Sequence, residues 1–102
     1  MQRRNFERVP ANIKVKFFCC ESHYDGTIMN LSQGGMYIST DEMRFPFDSE
    51  IDIIIPMNSD ILKVPVKVMR ITKSSDFYDG MGVSVSEPSG HYSDFVNNCR
   101  NC

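Results

Sequence analysis

The sequence predicts a mainly β fold, a small six-stranded antiparallel barrel with one short C-terminal helix. Three observations predict it. Apolar residues recur at every second position in most apolar segments, the period of a strand with one buried face. Turn-forming residues punctuate those segments at short intervals. Only one stretch, near the C-terminus, spaces its apolar residues as a helix does.

In the first strand, Ile13, Val15, Phe17 and Cys19 alternate with Lys14, Lys16 and Phe18. Asp25-Gly26, within Glu21–Gly26, is a tight-hairpin signal. Thr27 to Met29 reads as a short second strand, Asn30 to Gly35 as a break, and Met36 to Ser39 as a third strand. Pro46 and several charges mark Thr40 to Ser49 as a loop. Ile51, Ile53 and Ile55 form a fourth strand ended by Pro56, and Asn58-Ser59-Asp60 is turn chemistry. Leu62, Val64, Val66 and Val68 form a fifth, in which Pro65 requires an edge or a bulge because it has no N–H to donate. The alternation then slips, with Arg70 where an apolar residue is due and Ile71 where a polar one is, which predicts a bulge at Met69–Arg70. Lys73 to Asp79 reads as loop, and Met81, Val83 and Val85 as the sixth strand. Tyr92, Phe95, Val96 and Cys99 fall at i, i+3, i+4 and i+7, one face of a helix with Ser89 as its N-cap. That face must land on an open end or flank of the sheet.

A length of 102 residues fits one domain, and 41% apolar with 24% charged residues is globular rather than disordered. No apolar run approaches the roughly 20 residues a bilayer requires, and the first residues lead into no apolar signal region, so the expected location is cytoplasmic. The net charge of −2 is unevenly placed. Residues 1–16 hold five basic side chains against Glu7, 5 − 1 = +4, and the other 86 residues hold 6 basic and 12 acidic ones, −6. A cationic N-terminal arm therefore precedes a mildly acidic body, and can attract an anion locally. Of the four cysteines, Cys19 and Cys20 are adjacent and so point to opposite faces of a strand, while Cys99 and Cys102 form a lone C-x-x-C. One usable pair does not make a four-cysteine zinc site, so reduced thiols and no metal are expected.

Two segments carry candidate binding chemistry. Arg3-Arg4-Asn5-Phe6-Glu7-Arg8 places Arg4 and Arg8 on one side of an extended chain with Phe6. Guanidinium groups make paired, charge-assisted bonds to phosphate and to the O6 and N7 edge of guanine, and stack on purines. Asn30-Leu31-Ser32-Gln33-Gly34-Gly35 offers short polar side chains and two glycines that permit positive φ and close approach of a ligand to the backbone. Taken singly, each has a plainer reading, a solvated basic terminus and an ordinary inter-strand loop.

Together, R-x-x-x-R (Arg4, Arg8, preceded by Arg3) and N-x-S-x-x-G (Asn30, Ser32, Gly35) in a β-rich chain of this size resemble the PilZ domain family. The resemblance extends from Arg3 to about Cys99, and departs at Val85, where many members carry phenylalanine. It implies a PilZ-type six-stranded barrel that binds the second messenger cyclic di-GMP. Residues 1–11 would be a flexible ligand-wrapping arm, 12–87 the barrel and 89–99 the helix, within one domain of residues 1–102. Arg4 and Arg8 would contact guanine edges and phosphates, Asn30 and Ser32 would hydrogen-bond the ligand, and Gly34 and Gly35 would leave it room. An arginine at the place of Arg3 is associated in this family with two intercalated ligand molecules. The implied role is a stand-alone receptor, monomer or weak homodimer, that changes conformation and signals to a downstream effector protein, with no cofactor.

Three rival readings have less to rest on. His23 and His91 sit in no catalytic or metal motif, and Gly34-Gly35 is not followed by the Lys-Ser/Thr of a nucleotide-triphosphate loop, so an enzyme is not expected. A single-stranded nucleic-acid binder, stacking bases on Phe6, Phe17, Phe18, Tyr24 or Tyr37, needs a longer cationic track than a −6 body provides. A ligand-independent adaptor of the same fold would have no use for the intact arginine and asparagine–serine motifs.

Overall fold

The computed structural model describes residues 9–19, 21–43, 49–57, 59–74, 77–85 and 90–100. Among them the chain forms β1 (Val9–Cys19), β2 (Ser22–Ser32), β3 (Gly35–Met43), β4 (Glu50–Pro56), β5 (Ile61–Ser74), β6 (Phe77–Val85) and α1 (Gly90–Arg100). The strands close into a barrel in the order β1-β2-β3-β6-β5-β4, with every pair antiparallel. Alternation drives this closure. Val15 and Phe17, Ile28 and Leu31, Met36 and Ile38, Ile51 to Ile55, Val64 and Val66, and Met81 to Val85 project one apolar face inward from each strand into a single core. α1 adds Tyr92, Phe95 and Val96 to that core, with Cys99 partly buried beside it, the face expected from their spacing.

The strands are longer than their apolar runs. β3 continues through Met43 into the expected loop, and β5 and β6 meet as a hairpin with Ser74 paired to Phe77. Thr40 to Glu42 in β3 and Thr72 to Ser74 in β5 are polar, so hydropathy does not mark those ends, and Phe77-Tyr78 opens β6 with two adjacent aromatics rather than an alternation. At the N-terminus, Val9↔Leu31 and Pro10↔Asn30 pairing draws residues 9–11, the end of the expected arm, into the barrel. The expected Asp25-Gly26 turn does not form. Both residues lie inside β2, paired to Lys16 and Val15, and the chain reverses between paired Cys19 and Ser22. Glu21 there has φ 65°, the one left-handed non-glycine residue described. Ser89 lies outside the described residues.

Pro65 pairs with Asp52 of β4 but sits one residue beyond Val66↔Val85, the end of the β6 ladder, so it occupies a local edge. The bulge at Met69 is also present, since Val68↔Val83 is followed by Arg70↔Gly82. Four further register shifts occur among the described residues, at Met29 of β2, between Pro10 and Ile13 of β1, between Ser39 and Met43 of β3, and between Thr72 and Lys73 of β5. Among the described residues no helix is long and apolar enough to cross a membrane.

A buried hydroxyl fastens the helix to the barrel, with Tyr92 Oη donating to the Ser32 carbonyl at 2.6 Å and lying 3.5 Å from the Gly35 carbonyl. Tyr92 is 1% exposed, so removing the hydroxyl strands a carbonyl away from water. Tyr92→Phe is expected to lower unfolding free energy by about 1–2 kcal/mol without changing the denaturant slope. A urea titration with an unmoved midpoint would show that the bond adds nothing.

Candidate functional site

Three of the register shifts, at Pro10–Ile13, Met29 and Met69, share one level of the barrel. Pro10 pairs with Asn30, Asn30 with Tyr37, Tyr37 with Gly82 and Gly82 with Arg70, a continuous row across β1, β2, β3, β6 and β5. This row, with Met29 and Met36, lines an open cleft of about 550 Å³. The bulges explain its outward presentation. An extra residue resets the two-residue period, so Met29 and Asn30 both face outward while Ile28 and Leu31 remain buried. Met69 does the same for β5, leaving Arg70 exposed between inward Val68 and Ile71.

The floor of the cleft is built by an aromatic ring and a missing side chain. Tyr37 leans over β6 until its hydroxyl meets Thr72 Oγ1 of β5 at 2.9 Å, and Thr72 Oγ1 donates to Asp79 Oδ1 at 3.0 Å. A Cβ on Gly80 would collide with the Tyr37 hydroxyl and stand 2.7 Å from Thr72 Oγ1, so glycine is required where the ring crosses. At Gly82 the nearest atoms to an added Cβ are Arg70 Cβ at 3.8 Å and Nε at 3.9 Å, which is ordinary contact. Gly82 thus leaves β6 without a side chain between its ladder partners Tyr37 and Arg70, with the Arg70 side chain beside it, a slot suited to a flat ring. No carboxylate pairs with Arg70 among the described residues, where the ion pairs are Lys16–Asp25 and Lys63–Asp52. An unneutralised guanidinium beside a bare strand is an anion- and purine-binding arrangement.

The expected site residues fall into different places. Asn30 lines the cleft. Ser32 is 4% exposed, and its hydroxyl accepts from the Gly34 N–H at 3.3 Å, closing the β2–β3 turn. The Gly34 carbonyl accepts from Val85 N–H at 3.0 Å, so β6 holds the same turn. Neither Gly34 nor Gly35 has positive φ, contrary to the conformational freedom expected of them. A Cβ on Gly35 would collide with the Val83 carbonyl oxygen, so the space it leaves is occupied by β6 rather than open to a ligand. Arg3, Arg4 and Arg8 lie outside the described residues. Sequence reading passed over Tyr37 as a cleft residue, Gly82 and Arg70. The one local sign was Arg70 at the slipped position, which signalled a bulge but not a site. Among the described residues no cluster of three His, Cys, Asp or Glu side chains is placed to hold a metal ion.

Comparison with known proteins converges on one fold. The PilZ of *Escherichia coli* YcgR, in a structure described as the PilZ domain with c-di-GMP, superposes with a TM-score of 0.73 at 14% identity, over 94% of this chain and 87% of that one. The *Bacillus subtilis* inhibitor of motility MotI/DgrA gives a TM-score of 0.77 at 20% identity, over 99% of this chain but 51% of that one, so this chain spans about half its length. The PilZ domain of CeSA from a cellulose-synthesizing bacterium gives 0.61 at 18% identity, over 90% and 92%. At such identities the likeness is one of fold. No curated protein sequence gives a match. The family model for the PilZ domain matches residues 2–98, from the arginine motif through the helix that caps the barrel, and the chain belongs to the PilZ domain family.

Proposed function

We propose that this domain binds cyclic di-GMP in the cleft of the Pro10–Asn30–Tyr37–Gly82–Arg70 row and signals its occupancy to a partner protein. The observation that carries the reading is the placement of the Arg70 guanidinium, without a carboxylate partner among the described residues, beside the side-chain-free backbone at Gly82 in the same row as Asn30. A dianion with two guanines has use for both features. Phosphate and the guanine O6/N7 edge suit guanidinium, and a purine face suits the Tyr37–Arg70 slot. The R-x-x-x-R motif adds to the argument through the covalent chain, since Arg8 is joined through Val9 to Pro10 at the β1 side of the cleft. Structural relatives include proteins whose structures contain c-di-GMP, from *Escherichia coli* and *Borreliella burgdorferi*.

In this reading the arm closes over the ligand from β1 while Asn30 and Arg70 hold it from the barrel. Ser32, Gly34 and Gly35 contribute by fixing the turn that presents Asn30. A partner would read the arm's new position, a change of order as the switch. The +4 of residues 1–16 draws a dianion toward a body of −6, so affinity should fall with added salt.

Titration calorimetry tests the site. Arg8→Ala and Arg70→Ala are each expected to cost about 1.5–3 kcal/mol of binding, the loss of hydrogen bonds to a charged group. Near-equal affinity in both variants would remove the site from this cleft. A ratio near two ligands per chain that falls to one in Arg3→Ala is the expected signature of Arg3. A ratio of one in the unaltered protein assigns Arg3 no such role.

The two glycines give a separate expectation. Gly82→Ala should leave stability within about 0.5 kcal/mol and weaken cyclic di-GMP binding, because its methyl group enters the slot without a clash. Gly80→Ala should instead cost about 1–3 kcal/mol of stability, through displacement of Tyr37 and Thr72. Thermal unfolding beside calorimetry separates them. Unweakened binding by a stably folded Gly82→Ala chain would show that the slot is not used.

A further inference from the structure

A second groove crosses the outer face of the barrel, on the side of β1 and β4. Thr27 pairs with Ser39 and with Lys14, and Pro56 with Ile61, while Lys16 pairs with both Asp25 and Ile54. These outward residues enclose about 640 Å³. One end is aliphatic: Ile54, exposed Pro56 and Ile61, which is 58% exposed. Exposed Met57 adjoins it. The hairpin that carries this end is firmly built, with Met57 N–H donating to the Asp60 carbonyl and Ile61 N–H to the Asp60 carboxylate, each at 2.8 Å. The apolar side chains therefore stand in water on a braced turn, not on a frayed one.

The other part of the groove is cationic. Lys16 pairs with Asp25 at 2.7 Å. Lys14 has no carboxylate partner among the described residues, and its amine reaches only Thr27 Oγ1, at 3.3 Å. Thr40 Oγ1, in the groove wall, is buried and lacks a hydrogen-bond partner among the described residues. Among the described residues the groove thus presents two ammonium groups against one carboxylate, on a body that is acidic as a whole, together with an aliphatic shelf and the buried Thr40 hydroxyl.

We infer that this groove docks a partner protein through an extended segment that sets aliphatic side chains on Ile54, Pro56 and Ile61 and a carboxylate against Lys14. Charge complementarity chooses the occupant. Lys14, without a carboxylate partner among the described residues, favours an acidic segment and opposes a basic one, and the shelf gives such a segment an apolar anchor. The groove lies beside the cleft of the proposed ligand site, with Ser39 two residues from Tyr37 along β3 and Thr27 three residues from Asn30 along β2. The inference does not depend on what occupies that cleft.

Selection from a library of random short displayed peptides against the full chain tests this, followed by fluorescence anisotropy on the selected peptides. The expected consensus joins aliphatic residues to Asp or Glu, with binding weakened roughly tenfold by Lys14→Glu and by Ile61→Ser. Both positions are exposed, and amide spectra of each variant confirm its fold. Cyclic di-GMP affinity should be unchanged in Ile61→Ser, whose substitution alters no charge, and failure of the unaltered chain to bind cyclic di-GMP bears on the cleft alone. No enriched peptide, a basic consensus, or equal binding by the folded variants overturns the inference. Self-association of the unaltered chain that Ile61→Ser abolishes assigns the groove to a second copy and overturns it too.

Discussion

A regular strand cannot present two neighbouring residues to the same face, and this constraint governs the outer surface of the barrel. Six short strands closed on an apolar interior leave no freedom in which residues point inward. The extra residues at Met29 and Met69 are the means by which β2 and β5 keep their inward sets while turning Asn30 and Arg70 outward at one level. Without them, the residues after each bulge would exchange faces. Leu31 would point to solvent, and Ile71 would leave the interior to Arg70. The cleft is therefore a product of packing requirements in the core, read out on the opposite surface.

The same economy appears in the N-x-S-x-x-G segment. Asn30 is the motif residue that faces the cleft, and the others hold it there. Ser32 closes the turn through its hydroxyl, Gly34 is bonded by β6, Gly35 lets β6 approach, and the Ser32 carbonyl is tied to α1. A binding motif in sequence is here largely a scaffold in space, with chemistry concentrated at one position.

Much of this was legible in the sequence because it is local. Alternation located the cores of the strands, and i, i+3, i+4, i+7 spacing located the buried face of α1. The slip at Arg70 revealed its bulge because the residues that exchange roles differ sharply in polarity. Met29 carries the same slip, with Asn30 where an apolar residue is due and Leu31 where a polar one is, but there the turn-like Asn30–Gly35 composition reads as the end of the strand and hides it. Asp25-Gly26 misled because turn propensity is a weak local preference, overridden here by pairing on both sides of the strand. Arg70 and Gly82 were invisible as site residues for a different reason. Their place beside Asn30 is set by strand order, a non-local property that no window of sequence contains.

The bond from Tyr92 to Ser32 joins residues 60 apart in the chain, and this has a consequence for synthesis. A ribosome delivers β1 to β3 long before α1, so the turn beside Asn30 emerges with a carbonyl whose partner does not yet exist. β3 likewise waits for β6 before its outer edge is covered. The cleft is thus among the last parts of the molecule to reach its final form, and premature termination near the C-terminus reaches it even though α1 contributes no residue to its walls.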